Sequence, residues 1–233
     1  MITTCFAQPN PVLDSLVLGI LSYTETTTTP TTLDWDPSEA TVCQDLNSTL
    51  LTPSEEISAP PADVLYQFAV SFQIGAYALD RGFFNETTWK SPKIPTINQA
   101  VHGMRNASTA HLFAADGLVV SVTNGKVVDI LIQNLDDGAH PFHLHGHEFW
   151  VMAQSPETYG SLNTTNPLRR DTLTIGPFGY ALLRFEADHE GLWAFHCHIS
   201  WHMEAGLLMQ FMTGGHELAK TGVPECVLEL CDV

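Results

Sequence analysis

An all-β Greek-key sandwich is the fold predicted for this chain of 233 residues, and three observations carry that prediction. From Val64 onward the apolar residues fall in short runs of strand length. Gly, Asn, Asp and Pro separate the runs, as the turns of a sandwich require. Two histidine-rich stretches place their histidines two apart, the repeat that puts side chains on one face of a strand.

Taken in order, residues 10–23 (NPVLDSLVLGILSY) read as the last strand or strands of a preceding domain. Residues 24–60 hold repeated Thr, several Pro and few apolar runs, and read as an interdomain linker. One domain is expected over 61–215, with 216–233 as a tail. Its strands are expected at 64–72, 118–122, 127–133, 148–152, 172–175, 181–186, 192–196 and 207–212. A short helix is expected over 200–206.

The 26 acidic residues against 9 basic give a formal charge of −17. Nucleic acid and anionic membrane are therefore not expected as partners. The apolar run 11–23 is too short to span a bilayer and contains Asp14. Sequons stand at Asn47, Asn85, Asn106 and Asn163, and a sequon has meaning only in a secreted protein. Export is thus the expectation. Met1-Ile-Thr-Thr-Cys5 has neither the basic start nor the continuous apolar core of a signal peptide. A missing N-terminus accounts for that as well as cytosolic residence does.

Residues 196–202 read His-Cys-His-Ile-Ser-Trp-His. On a strand through 194–198, His196 and His198 point to one side and Cys197 to the other. One strand then supplies a thiolate to one metal site and two imidazoles to another, joined by peptide bonds. That arrangement suits passing an electron between metals. A Cys thiolate with imidazoles, and a weak or absent axial group, is the donor set of blue copper. The bland alternative is a buried Cys between two satisfied histidines. Upstream stands His140-Pro-Phe-His143-Leu-His145-Gly-His147, where His143 and His145 share a strand face. Pro141 fixes its own φ and lacks a backbone donor. A break in alternation there is expected to turn His140 toward Cys197. A lone His-x-His pair also serves zinc enzymes or sits unliganded. Seven of the eleven histidines lie in these two stretches, however, which argues against coincidence.

The segments HPFHLHGHEFWV and HCHISWHMEAGL resemble the two C-terminal copper signatures of multicopper oxidases, and most closely those of fungal, ascomycete-type laccase-like enzymes. PPADVLYQFAVSFQ, RGFFNETTW and RRDTLTIGPFGYALLRFEAD agree with the same family. The resemblance implies a cupredoxin-like sandwich over 61–215 and a remnant of the preceding cupredoxin domain over 1–23. It makes His140, Cys197 and His202 the ligands of a type 1 copper. It makes His143 a ligand of the type 2 copper, and His145, His196 and His198 ligands of the type 3 pair. His147 has no ligand role in the family pattern and reads as a structural histidine. His102, His111, His189 and His216 fall outside the motifs. The axial position becomes Leu207, which offers no lone pair, and Met209 is the rival. A disulfide in the family's corresponding region implies Cys5–Cys43, while Cys226 and Cys231 pair locally, stay free or bridge elsewhere. Where the family often has Asp-Asn-Pro-Gly, this chain has Asp188-His189-Glu190-Gly191.

The family builds its trinuclear cluster from eight histidines, half of them on an N-terminal domain. No His-x-His motif precedes His140 here. The expectation is a C-terminal part of a larger oxidase, with a complete type 1 site, half a trinuclear cluster, and N-terminal cupredoxin domains as partners. The implied reaction takes single electrons from phenolic or other aromatic donors through the edge of His202. They pass by way of Cys197 to the cluster, where O2 becomes water. A ferroxidase calls for acidic groups beside His202, and Glu204 is too near in sequence to serve. Two further readings are an inactive fragment or lone blue-copper domain, and a zinc hydrolase on His143, His145 and His147. The latter lacks the Asp such a site wants.

Overall fold

The computed structural model describes residues 31, 50–74, 79–106, 113–155 and 162–229. The expected Cys5–Cys43 bridge, the 10–23 strand and most of the linker lie outside them. The chain divides into two compact units, Met1–Leu46 and Asn47–Val233, and the second holds the fold described below.

Eleven strands among the described residues form two facing sheets. Strands β1 (Val64–Ile74), β2 (Asp80–Phe84), β4 (Lys126–Asn134), β6 (Phe149–Gln154), β7 (Arg169–Arg170) and β9 (Tyr180–Ala187) build the first. Its order is β2-β1-β4-β9-β6-β7. Strands β3 (Val119–Val122), β5 (His140–Leu144), β8 (Thr172–Ile175), β10 (Gly191–Cys197) and β11 (Leu208–Thr213) build the second, in the order β3-β11-β10-β5-β8. Pairing is antiparallel except for β1 with β4 and β3 with β11. Helix α1 (Thr96–Asn106) follows β2, α2 (Ser200–Glu204) links β10 to β11, and α3 (Gly215–Thr221) and α4 (Glu225–Leu228) follow β11.

Period-two burial makes these strands a sandwich. Along β9, Ala181, Leu183, Phe185 and Ala187 are buried while the residues between them are not. Across the gap they meet Phe142, Leu144, Phe195, Met209 and Phe211 in one apolar core. A fully buried Phe contributes about 1.5–3 kcal/mol, and six of them (84, 142, 149, 185, 195 and 211) line this core. A second, smaller core joins Ala100 and Val101 of α1 to Met212 and to Leu218 of α3. Asp129 of β4 and Arg184 of β9 sit opposite each other. Arg184 donates to both carboxylate oxygens, at 2.6 and 2.8 Å, and to the carbonyl of Pro60. Paired charged donors of this kind are stronger than neutral ones, and they raise the guanidinium's already high pKa further.

The sequence expected eight of these strands to within two residues. It missed β2 and β7, and it treated His140–Leu144 only as a motif. The hairpin partner of β1, β2, brings Gly82 and Phe84 beneath the second histidine motif.

Candidate metal centre

Strands β5 and β10 pair antiparallel, with His143 opposite His196 and Phe142 opposite Cys197. Alternation therefore sends His140, Phe142, Leu144 and Cys197 to the core side, while His143 and His196 share the outer side. His140 needs no break at Pro141 to face Cys197. It lies two residues before Phe142 and reaches the core face by plain parity, so the expectation of a proline-induced turn is corrected. The Pro141 carbonyl instead accepts from the His198 N–H at 2.6 Å.

On the core side, Cys197 Sγ lies 3.7 Å from His140 Nδ1 and 3.5 Å from His202 Nδ1, and the two nitrogens are 3.0 Å apart. All three residues are buried. His140 Nε2–H donates to Asp136 Oδ2 at 3.0 Å. That bond leaves the lone pair of the neutral ring on Nδ1, facing the sulfur. Asp136 is itself held by the Gly138 N–H and by its own N–H to Asn134 Oδ1. Asn134 in turn donates to the carbonyls of Gly138 and Gly176.

Burial pushes the Cys197 thiol up to about 11. It pushes the His202 imidazole down to about 4, with the neighbouring His140 ring acting in the same direction. A buried thiol and two imidazole nitrogens converging on one point suit a single soft cation that displaces the thiol proton. The donor set fits copper.

The loop from Cys197 to Leu207 is pinned at both ends. Leu207 N–H donates to the His202 carbonyl and Cys197 N–H donates to the Leu207 carbonyl, each at 3.0 Å. Leu207 is fully buried, and β2 presses against it: a Cβ on Gly82 would lie 2.5 Å from Leu207 Cγ. Glycine is required here by close approach. Phe72 of β1 covers the core-side trio, its ring 4.7 Å from that of His202 and 5.6 Å from that of His140. Trp201 stands edge-on to His202 at 3.9 Å and is 60% exposed.

On the outer side, His143, His145, His196 and His198 cluster. Their ring centroids are 4.8 Å apart for 143–145, 5.1 Å for 145–196, and 5.6 Å for 143–198. His145 Nε2 and His196 Nε2 are 2.9 Å apart. His143 Nδ1–H donates to the Asp171 carbonyl and His196 Nδ1–H to the Cys197 carbonyl, both at 2.9 Å, so Nε2 of each ring is the free donor atom. Burial, then the neighbouring imidazoles, lowers the pKa of His145. Burial also lowers that of His196, against the Cys197 carbonyl. Among the described residues no three of these four rings bring donor atoms within 4.8 Å of one another, as the core-side trio does.

His147 is buried, packed against Phe185 and Trp193, and donates from Nδ1 to the His145 carbonyl. His216 is exposed, and His111 lies outside the described residues. Sequence reasoning missed Asp136, Phe72 and Gly82. The run Asn134-x-Asp136-x-Gly138 directly before His140 is an Asx-turn signal that pointed to the first.

A family profile described as multicopper oxidase matches residues 86–217. The iron transport multicopper oxidase fetC of Epichloe festucae is 36% identical over 64% of this chain and 26% of its own length. The iron transport multicopper oxidase fio1 of Schizosaccharomyces pombe is 37% identical over 63% and 25%. The chain thus spans about a quarter of the length of the curated relatives it matches. Among solved structures, a multicopper oxidase that functions in iron import superposes with a TM-score of 0.73 at 28% identity, over 90% of this chain and 42% of that one. A laccase from Botrytis aclada superposes with a TM-score of 0.67 at 27% identity, over 89% and 38%. With a cupredoxin-like sandwich, the donors for copper and a profile that matches more than half its length, this chain belongs to the multicopper oxidase family.

Proposed function

We propose that His140, Cys197 and His202 hold a type 1 copper with Leu207 as a non-ligating axial neighbour. In this reading His143 serves a type 2 copper, and His145, His196 and His198 serve a type 3 pair. Copper in these sites supplies one-electron redox chemistry and the reduction of O2 to water. The single observation that carries the reading is the buried convergence of Cys197 Sγ with the two Nδ1 atoms. The chain's own part is threefold. Asp136 fixes the His140 tautomer, the sandwich excludes water from the thiolate, and the peptide bonds from Cys197 to His196 and His198 give an electron a covalent route between the sites. A whole oxidase joins this chain to N-terminal cupredoxin domains. Secretion fits the exposed sequon at Asn163.

The electron donor is a small aromatic, laccase-like substrate. Exposed Trp201, with Phe72 behind it, offers an aromatic surface at the edge of His202, and flat rings stack well on such surfaces. Asp136 favours a second reading, oxidation of Fe(II), because it places a partly exposed carboxylate against the imidazole of His140. The relatives named for iron transport favour it too. In the whole oxidase, Trp201→Ala is expected to raise KM for a phenol several-fold while leaving that for Fe(II) unchanged. The reverse, with Trp201→Ala leaving KM for the phenol unchanged and raising that for Fe(II), would replace the aromatic donor by iron.

A further inference from the structure

Outside the seven copper donors, His147, Asp188 and His189 each bring one ligand atom within 4.8 Å of the other two. His147 is 8% exposed and its ring is fixed. Nδ1–H donates to the His145 carbonyl at 3.1 Å, so the lone pair of the neutral ring sits on Nε2. That Nε2 is buried and meets no hydrogen-bond partner among the described residues. A buried polar atom left without a partner is destabilising, and a bound cation removes that penalty. Gly146, at φ +70°, lets Trp193 close over the turn, since a Cβ there would lie 2.3 Å from the indole. The His147 ring consequently stands 5.3 Å from that indole and 5.2 Å from Phe185.

Facing it, the His189 ring lies 5.5 Å away, with Asp188 Oδ1 at 3.1 Å from His189 Nδ1. Trp193 Nε1–H donates to the His189 carbonyl and anchors this loop. His189 stands where the resembling family often has Asn, so this donor comes from the chain's own departure at Asp188-His189-Glu190. All three donors line a cavity of about 510 Å³, together with the carboxylates of Glu148, Asp171 and Glu186, the guanidinium of Arg169, and His143 at its far end.

We propose that His147 Nε2, His189 and Asp188 form a further site, with its own donors, for a divalent transition ion, with zinc the best fit. Two imidazoles and a carboxylate, with the fourth position open to water, are a zinc donor set. Tetrahedral zinc sits about 2.0–2.2 Å from N and O donors. The exposed side chains of Asp188 and His189 have the freedom to close onto the fixed ring of His147.

The test is a zinc titration of the purified, metal-free chain against a chromophoric chelator, run beside His189→Asn and Asp188→Asn. Wild type is expected to bind one more equivalent than His189→Asn, and Asp188→Asn to weaken that equivalent at least tenfold. Copper loading afterwards is expected to give both variants the wild-type blue band, showing that the sandwich is intact. Equal zinc stoichiometry and affinity in wild type and either variant would overturn the site.

Discussion

Cys197, His140 and His202 are enclosed by the sandwich, whereas His145 and His198, each one residue beyond the end of β5 or β10, are exposed. Alternation on β5 and β10 sends His140 and Cys197 to one side and His143 and His196 to the other, and α2 adds His202 to the first. Those on the core side acquire the facing sheet, Phe72 and β2 as walls. Those on the outer side lack a facing sheet, and of them His196 alone is buried. The first site closes to Sγ–Nδ1 distances of 3.5 and 3.7 Å. The second gathers four imidazoles without bringing three donor atoms together. The same two strands thus carry one closed trio of donors and one open cluster of imidazoles, and the facing layer makes the difference.

The largest effect expected from breaking this contrast is that of Cys197→Ser. A hydroxyl is a poor, hard ligand for copper, so the intense blue charge-transfer band of the copper-loaded chain should vanish, while metal held by the outer imidazoles stays. An unchanged band in the absorption spectrum would place the thiolate elsewhere. Next comes Asp136→Ala, which leaves His140 Nε2–H unpaired in a buried site. Losing such an orienting partner typically costs about 10–100-fold in metal affinity. Competition with a chelator should show that loss at the blue site alone.

Gly82→Ala sharpens the contrast through packing. The new Cβ would meet Leu207 Cγ at 2.5 Å, and overpacking of this kind costs about 1–3 kcal/mol. Denaturant unfolding should register the cost, the blue band should shift as Leu207 moves, and binding at the outer histidines should not change.

The smallest effect is that of pH on the metal-free chain. His202 has its pKa lowered by burial to about 4 in the folded state, against 6.5 as the ordinary value. The unfolded state therefore binds more protons between these values, and stability rises with pH there. Stability is full above pH 6.5 and falls as the pH drops toward 4. His145, His147 and His196, also lowered, act in the same direction. Cys197 acts oppositely at the alkaline end. Its thiol keeps its proton to about 11 when folded, so stability declines above pH 9. Melting temperature against pH should show a plateau between the two flanks.

Much of this was legible in the sequence because copper donors and strand parity are both local. The spacings in His196-Cys197-His198 and His143-Leu-His145 already separate two faces, and the short apolar runs give the strands. What stayed hidden depends on contacts distant along the chain. Strand β2 carries Asp80-Arg81-Gly82 ahead of two Phe residues and shows no clean alternation, so its place under Leu207 is invisible until β1 and β2 pair. Phe72 reads as one more strand residue until its ring is seen against His202. His189 falls outside the motifs, and the ring it faces, that of His147, stands 42 positions earlier in the sequence.

The central claim is that this chain closes one copper site and supplies half of another, and oxygen uptake by the copper-loaded chain tests it most directly. Ascorbate should bleach the blue band of Cys197, showing that the closed site accepts an electron. An oxygen electrode should then record no sustained four-electron reduction of O2 to water, because His143, His145, His196 and His198 alone leave the cluster short of ligands. Steady O2 consumption to water by the purified 233-residue chain would contradict the account.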